Sequence, residues 1–315
     1  MPKMKITVVG AGMVGGTLAQ RLAEKNFADI ALIDIIGDLA KGKALDITQS
    51  APIMDYDINI QGGDLWEIAE GSQIVVITSG VPRKPGMSRE ELLEVNFKIV
   101  KDVSEKIKKF CPDSIVIVVS NPLDAMTYTA YKITGFPKNK IMGMAGVLDT
   151  ARFRAFLSME LKVSPKDITA FVLGSHGDTM VPVLSYTHIG GVPVENLLPK
   201  EKLHEIIERT RNAGAEIVSL LKTGSAYYAP SAAVLEMIES IVFDRKRILP
   251  CCVLCEGEYG INGVFVGVPV VLGKDGVEKI LEFDLKDEEM KALRRSAEIV
   301  QKLQKEVDEL IRKYG

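Results

Sequence analysis

Continuous apolar runs alternate with segments of helical periodicity along the first half of the chain. The runs at residues 73–78 and 114–119 consist mostly of β-branched residues, which is typical of parallel strands that are buried on both faces. Strands that alternate with helices predict an α/β fold built on a doubly wound parallel sheet. The predicted strands are residues 6–9, 30–33, 56–61, 73–78, 114–119 and 140–144, and the predicted helices are residues 17–26, 42–50, 88–109 and 123–133.

The pattern changes near residue 146, after which helices dominate and strands no longer alternate with them. This organisation predicts an α+β second half, and we expect two domains, residues 1–145 and residues 146–315. Residues 248–272 resemble a β-meander that is interrupted at Gly257, Gly260, Gly263 and Gly267. The predicted helices of this half are residues 148–161, 201–221, 231–243 and 286–314, and a strand is predicted at residues 169–173.

The helix at residues 88–109 has the clearest start signal. Ser88 and Glu91 have the spacing of a capping box, in which each side chain accepts from the other residue's backbone N–H. The apolar positions at helical spacing predict one buried stripe, formed by Leu92, Val95, Ile99, Val103 and Ile107.

A glycine-rich turn follows the first predicted strand. Gly10, Gly12 and Gly15 have G-x-G-x-x-G spacing, and Asp34 ends the second strand. In a strand–turn–helix–strand unit, these glycines allow a tight turn, close backbone approach to a pyrophosphate and close helix packing. The acid can accept from an adenosine ribose and repels a 2′-phosphate, which favours NAD over NADP. The alternative is a Gly-rich turn without a ligand.

Composition narrows the classes of function. The net charge of −3 over 315 residues gives no reason to expect nucleic acid or an anionic membrane as a partner. No apolar run approaches the length of a membrane span, and the first strand begins too early to leave room for a signal peptide.

The four cysteines are few for a disulfide framework, and we expect a reducing cytoplasm. Three of them, Cys251, Cys252 and Cys255, lie in one β-like run without nearby histidines, so buried thiols are favoured over a metal site.

Three histidines are present, and they differ in context. His204 lies on a charged helix, and His188 lies in a turn where a structural role is favoured. His176 follows a predicted strand and is bordered by Gly174 and Gly177. A histidine on such a loop can face a ligand crevice and carry a proton near neutral pH.

Asp149 and Arg152 are three residues apart on a predicted helix and therefore share a face. They can form a local ion pair of small energetic value. Alternatively, Asp149 orients a histidine and raises its pKa, while Arg152 binds a carboxylate with its bidentate guanidinium.

Two loops leave the carboxyl ends of predicted strands. Residues 80–89 carry Arg83 and Arg89 and contain two glycines and two prolines, and residues 120–122 carry Asn121. Loops at this edge overhang the ligand crevice of a doubly wound sheet. The first loop is either an exposed segment or a lid that brings arginines onto an anion.

Taken together, these segments resemble malate dehydrogenases of the lactate-dehydrogenase-like type over nearly the whole chain. The resemblance implies a Rossmann-type sheet followed by an α+β catalytic domain, NAD as cofactor, a dicarboxylate substrate, a homodimer or homotetramer, and a place in the tricarboxylic acid cycle. The motifs that carry it are GAGMVG, Asp34, VPRKPGMSREELL, VSNPLDA, GVLDTARFR, LGSHGDTMVP and GSAYYAP.

The resemblance also implies roles for individual residues. His176 is the proton donor and acceptor, Asp149 is its partner, and Arg89 polarises the substrate oxygen. Arg83, Arg89, Asn121 and Arg152 bind substrate, with the residue at Arg83 separating malate from lactate enzymes. No metal is expected. The implied cofactor contacts are Gly10, Ala11, Gly12, Met13, Val14, Gly15, Asp34, Thr78, Gly80, Asn96, Val119 and Asn121.

Two alternatives remain open from sequence. A lactate or broader 2-hydroxy-acid dehydrogenase would use the same scaffold, and Arg83 argues against it. A nucleotide-binding sensor without catalysis would need only the first strand–helix–strand unit. It would leave His176 and the Asp149–Arg152 pair without a shared purpose.

Overall fold

The computed structural model describes residues 4–82 and 86–315. Its strands and helices form an α/β fold around one large sheet. The strands are β1 (Met4–Val9), β2 (Ala28–Ile33), β3 (Ile60–Gly63), β4 (Ile74–Ile77), β5 (Ile115–Val118), β6 (Ile141–Gly143), β7 (Ile168–Thr169), β8 (Val172–Leu173), β9 (Val181–Pro182), β10 (His188–Ile189), β11 (Val192–Pro193), β12 (Arg247–Glu256), β13 (Asn262–Gly273) and β14 (Gly276–Ile280). The helices are α1 (Met13–Lys25), α2 (Gly37–Met54), α3 (Arg89–Phe110), α4 (Leu123–Thr134), α5 (Ala145–Leu161), α6 (Lys200–Leu221), α7 (Tyr228–Val242) and α8 (Asp287–Tyr314).

Six parallel strands form the half of the large sheet that comes from the first part of the chain. Their order is β3-β2-β1-β4-β5-β6, which confirms the doubly wound sheet. The order reverses direction between β1 and β4, and such a switch point opens a crevice at the carboxyl ends of the strands. In register, Ile6 of β1 pairs with Ile30 on one side and Ile74 on the other.

Apolar clusters cover both faces of this sheet. Side chains of β4 alternate between them, because Ile74 and Val76 belong to one cluster and Val75 and Ile77 to the other. The first cluster includes residues of α1 and α7, and the second includes residues of α3, α4 and α8. Burial on both faces explains why the strand sequences are uninterrupted apolar runs. Among the described helices, we find none with the length and apolar character to cross a bilayer.

Strands from the second half extend the same sheet in antiparallel fashion. Cys252 of β12 pairs with Gly143 of β6, and β13 and β14 follow in order. The meander predicted at residues 248–272 is therefore present. Gly257 and Gly260 lie between β12 and β13, but Gly263 and Gly267 do not interrupt the meander, because both lie within β13, where Gly267 pairs with Cys252 of β12. The predicted domain boundary near residue 145 stays a prediction, and the sheet continues across it.

Several element boundaries differ from the sequence predictions, and three of them bear on the first half of the sheet. Helix α1 begins at Met13 rather than residue 17, because the helix includes Gly15 and Gly16, whereas Gly12 is its N-cap. Helix α2 runs to Met54 and contains Pro52. Residues 56–59 are not a strand; instead the buried Tyr56 donates a hydrogen bond to the Ile47 carbonyl of α2, and β3 starts only at Ile60.

Helix α3 confirms the predicted capping box but only part of the predicted stripe, since Val103 and Ile107 are buried as predicted. Ser88 Oγ accepts from the Glu91 N–H at 3.0 Å, and Glu91 Oε2 accepts from the Ser88 N–H at 2.8 Å. The buried face is formed by Leu93, Phe97, Val100, Val103 and Ile107. Leu92, Val95 and Ile99 are only half-buried. Both sets have helical spacing, so periodicity alone could not choose between them.

The strand predicted at residues 169–173 is broken in two. Strand β7 joins β10 and β11 in a three-stranded sheet, whereas β8 pairs with β9. The chain therefore turns between β7 and β8, and β8 delivers the loop that carries His176. This loop is tied to the large sheet by two hydrogen bonds between the backbones of Gly174 and Gly267, at 2.8 and 2.9 Å.

All four cysteines are free and buried. Burial raises the pKa of Cys111 to about 11 and that of Cys255 to about 12, so these thiols stay protonated and pack as small apolar groups. Within residues 4–82 and 86–315, no group of three or more His, Cys, Asp or Glu residues is arranged to hold a metal ion.

Replacing Ser88 tests the cap that fixes the start of α3. Ser88→Ala is expected to lower the free energy of unfolding by about 1 kcal/mol, because the Glu91 N–H loses its acceptor. Chemical denaturation followed by circular dichroism measures the change. Ser219→Ala, on the exposed side of α6, is the matched control and should stay within about 0.5 kcal/mol of the unaltered chain. An unchanged stability in Ser88→Ala would contradict the role of the cap.

Candidate active site

The predicted site residues come from different segments but gather at one edge of the sheet. The glycine turn follows β1, Asp34 follows β2, Gly80 lies beyond β4 and Asn121 lies beyond β5. Carboxyl ends of parallel strands meet at the same edge, beside the switch point between β1 and β4. Helix α5, which carries Asp149 and Arg152, begins two residues after β6.

The glycine turn has the geometry that the sequence predicted. Gly10 has φ +106°, a conformation that favours glycine. A Cβ on Gly15 would lie 1.8 Å from the Gly10 carbonyl oxygen, so the helix can pack against the turn only without a side chain there. A Cβ on Gly12 would meet no atom within 4 Å. The Gly12 backbone therefore borders open space, as a pyrophosphate site requires.

The N-terminus of α1 is electrically suited to an anion. Its first turn contains no acidic residue, and no side chain caps it. The Lys43 ammonium of α2 donates to the Gly12 carbonyl at 3.0 Å, which adds a cation beside the positive end of the helix dipole. Exposed Met13 and half-buried Val14 form the outer part of this turn. Sequence reasoning did not identify Lys43.

Asp34 ends β2 beside the glycine turn. Its Oδ2 accepts from the Ala11 N–H at 2.6 Å, and its Oδ1 accepts from the Ile36 N–H at 2.9 Å. The carboxylate is thereby fixed next to the space above Gly12 while remaining partly exposed. This position is compatible with the predicted acceptance of hydrogen bonds from a ribose.

Asn96 of α3 joins the two loops that leave β4 and β5. It is 1% exposed. Its Oδ1 accepts from the Val81 N–H at 2.8 Å, and its Nδ2 donates to the carbonyls of Val81 at 3.0 Å and Asn121 at 2.6 Å. The side chain is thus committed to positioning these loops, and its predicted cofactor contact stays a prediction.

Further hydrogen bonds tie the same loops to the sheet. Thr78 Oγ1 donates to the carbonyls of Val9 and Gly10 at 3.0 and 3.1 Å. Ser120 Oγ donates to the Ser79 carbonyl at 2.5 Å. Beyond these anchors, Gly80 adopts φ +154°, while half-buried Val119 continues the ladder through its N–H to Ile77.

His176 and Asp149 form a directly hydrogen-bonded pair. His176 Nδ1 lies 2.8 Å from Asp149 Oδ2. Asp149 is 1% exposed, so its carboxylate depends on the groups around it for stabilisation. A carboxylate can only accept, and Nδ1 therefore carries the proton. The other ring nitrogen, Nε2, is left as the group that can exchange a proton with a ligand.

Several charges compete to set the pKa of His176. Burial favours the neutral ring, but the charge and hydrogen bond of Asp149, assisted by the charge of Asp124, outweigh it and raise the pKa above its ordinary value. The guanidinium of Arg152 acts in the opposite direction. The imidazolium is consequently populated at and above the pH where a free histidine would lose its proton.

Arg152 shares a helix face with Asp149, as predicted, yet its guanidinium is available. Its Nη1 lies 3.6 Å from Asp149 Oδ1, which is close enough for an ion pair but too far for a hydrogen bond. Its Nε is buried without a hydrogen-bond partner, and burial lowers its pKa while Asp149 opposes that change. A desolvated guanidinium with unused donors is suited to a carboxylate.

Arg89 lies at the mouth of the site. Its Nη2 is 3.5 Å from Oδ2 of Asp178, a residue two positions beyond His176, and both side chains are largely exposed. An exposed pair at this distance contributes little stability, so an anionic ligand can replace Asp178 as the partner of Arg89.

Arg83 and the other two histidines are not among the described residues that form the cluster of site residues. Arg83 lies outside the described residues, and its predicted role stays a prediction. His204 is exposed on α6, and His188 pairs with β7 and β11 in the small sheet.

Two residues that hold the His176 loop were missed in the sequence. Asp124 Oδ2 accepts from the His176 N–H at 3.0 Å. Ser296 of α8 accepts from the Ser175 N–H at 2.8 Å. The sequence could have indicated Asp124, because it closely follows Asn121 at the sheet edge. It could not have indicated Ser296, which lies 121 positions from Ser175 in the sequence.

Comparison with known sequences places both halves of the chain in one family. The family model described as lactate/malate dehydrogenase, NAD binding domain, matches residues 4–143. The model described as lactate/malate dehydrogenase, alpha/beta C-terminal domain, matches residues 146–312.

Individual relatives agree. A protein named malate dehydrogenase from Chlorobium limicola is 56% identical over 299 residues, covering 95% of this chain and 96% of that protein. The apo malate dehydrogenase structure from Picrophilus torridus has a TM-score of 0.95 at 46% identity, covering 99% and 100% of the two chains. The Cryptosporidium parvum lactate dehydrogenase structure with lactic acid and the dinucleotide has a TM-score of 0.94 at 41% identity, covering 98% and 99%. The chain belongs to the lactate/malate dehydrogenase family.

Proposed function

We propose that this protein is an NAD-dependent malate dehydrogenase, which transfers a hydride reversibly between (S)-malate and oxaloacetate. The observation that carries the chemistry is the buried Asp149–His176 pair beside the guanidinium of Arg152, whose Nε has no hydrogen-bond partner. More than half of the residues are identical to those of a protein named malate dehydrogenase. A non-catalytic nucleotide sensor would need neither the pair nor the guanidinium.

The glycine turn would hold NAD, which would supply the hydride acceptor or, in its reduced form, the hydride donor. The Gly12 backbone and the α1 N-terminus would hold its pyrophosphate, and Asp34 would accept from the adenosine ribose. Because Asp34 is an anion beside this position, it disfavours a 2′-phosphate. These residues fit NAD better than NADP.

The protein's part in the reaction is to move a proton and to hold the substrate. In reduction, the imidazolium of His176 gives the proton on Nε2 to the substrate oxygen, and Asp149 stabilises the charged ring beforehand. In oxidation, the neutral ring takes the proton back. Arg89, released from Asp178, would stabilise the negative charge that develops on this oxygen.

Substrate binding depends on matching two carboxylates with two guanidiniums. Arg152 would pair with the carboxylate next to the reacting carbon, and Asn121 would contact the substrate from the β5 loop. We propose Arg83 for the second carboxylate, on the sequence alone. Relatives include lactate dehydrogenases with nearly the same fold, so the scaffold does not choose the substrate. Pyruvate would leave Arg83 without a partner, and such sites can discriminate by roughly 10⁴ to 10⁵.

We also propose that the chain forms a homodimer or homotetramer and acts in the cytoplasm. Large apolar side chains lie on the outside of α2, including Leu45 at 59% and Ile53 at 84% exposure. Contiguous exposed apolar residues are a common feature of subunit contacts.

The preference for a dicarboxylate is tested by steady-state kinetics with oxaloacetate and pyruvate. The unaltered protein should have the higher kcat/KM for oxaloacetate. Arg83→Gln should reduce the ratio of the two values by roughly ten- to a hundredfold, because one charge-assisted contact is lost. Lys84→Gln removes a neighbouring charge and serves as the matched control. A higher kcat/KM for pyruvate in the unaltered protein would end the malate assignment, and an unmoved ratio in Arg83→Gln would refute the role of Arg83.

Replacing His176 tests the proton-transfer role separately from cofactor binding. His176→Asn should abolish turnover, since an amide cannot exchange the proton, and should leave NADH affinity nearly unchanged. Absorbance at the NADH band and fluorescence titration measure the two properties. His204→Asn, on the exposed side of α6, is the control and should remain active. Loss of NADH affinity in His176→Asn would indicate a structural histidine instead.

A further inference from the structure

Asp124 is a buried carboxyl group that the mechanism above does not use. It lies in the first turn of α4, three residues beyond Asn121, and is 4% exposed. Burial of a carboxylate is costly unless other groups compensate for it. The groups around Asp124 must therefore account for its burial.

One oxygen of Asp124 has a clear partner and the other does not. Oδ2 accepts from the backbone N–H of His176 at 3.0 Å. Oδ1 is buried without a hydrogen-bond partner. The carboxyl group thus joins the loop that carries Asn121 to the loop that carries His176, while keeping one oxygen poorly solvated.

Charged groups on α4 and α5 act on the His176 ring. Asp149 and Arg152 face His176 from α5, and Asp124 faces it from α4. The exposed Arg89–Asp178 pair lies at the mouth. Burial raises the pKa of Asp124 to about 6, while contacts with the Cys252 thiol and the His176 backbone, and the charge of His176, limit the rise. Above that pH the group is an anion close to the imidazole.

We propose that Asp124 is a positioning residue for proton transfer, which anchors the His176 backbone and supplies a second negative charge that favours the imidazolium. Asp149 fixes the ring through Nδ1, and Asp124 fixes the chain that carries the ring. Together they outweigh burial and the opposing charge of Arg152. The effect of Asp124 on proton transfer to the substrate rests on the proposed function, whereas its effect on the charge of the His176 ring does not.

An NMR titration of the imidazoles tests the electrostatic part without substrate. The chain has only three histidines, so a spectrum of His176→Asn assigns the signal of interest. Asp124→Asn keeps an acceptor for the His176 N–H but removes the charge. It should lower the pKa of His176 by about one unit. Asp102→Asn, on the exposed side of α3, removes an equal charge elsewhere and should leave the pKa of His176 unchanged.

Two further measurements guard against a variant that does not fold. Asp124→Ser removes the charge with a smaller side chain and should shift His176 in the same direction. In the unaltered protein, the His176 backbone amide should follow the titration of Asp124, with a midpoint near 6. A His176 pKa that is unchanged or raised in the folded variants, or an amide without an inflection between about pH 5 and 7, would overturn the inference.

Kinetics then separate this inference from the proposed function. Reduction requires the imidazolium, so its kcat/KM falls as pH rises through the His176 pKa. Oxidation requires the neutral ring, so its kcat/KM rises through the same pKa. Asp124→Asn should move both limbs to lower pH by the amount seen by NMR. A purely structural role would lower the values without moving the limbs. Absence of any turnover in the unaltered protein would refute the proposed function, while the NMR result would still decide the role of Asp124.

Discussion

The hydrogen bond between Asp149 Oδ2 and His176 Nδ1 is the interaction on which the site depends. It joins a helix that follows the parallel sheet to a loop held by the antiparallel strands. Because Asp149 is buried, its charge acts on the imidazole at short range and with little screening. One contact therefore orients the ring, selects the nitrogen that faces the ligand and favours the charged form.

The fold supplies this contact by joining two distant parts of the chain into one sheet. Strand β12 pairs with β6, and β13 holds the backbone of Gly174 just before the histidine loop. Asp124 and Ser296 secure the same loop from α4 and α8. The crevice is formed on the other side by loops beyond β4 and β5, which Asn96 fastens together. Asp149 and Arg152 thus stand on a helix, and the His176 loop is held by hydrogen bonds to α4, α8 and β13, as precise positioning requires.

Local sequence determines much of this architecture, and the predictions that were wrong have identifiable physical causes. The parallel strands were predictable because burial on both faces demands uninterrupted apolar residues. The α3 capping box and the glycine turn were predictable because their backbone requirements are local. The buried face of α3 was not, since Leu93 and Leu92 both fit a helical stripe. The contribution of Ser296 was not, because it depends on how distant segments pack. Asp124 lies within the VSNPLDA segment, but only its contact with His176 distinguishes it from the acidic residues that are common in the first turn of a helix.

The tautomer of neutral His176 tests the central interaction most directly. Nitrogen-15 NMR of the protein at alkaline pH distinguishes a protonated from an unprotonated ring nitrogen. The proton should remain on Nδ1, facing Asp149, and Nε2 should be unprotonated. A signal from the opposite tautomer, or an equal mixture of the two, would show that Asp149 does not hold the ring.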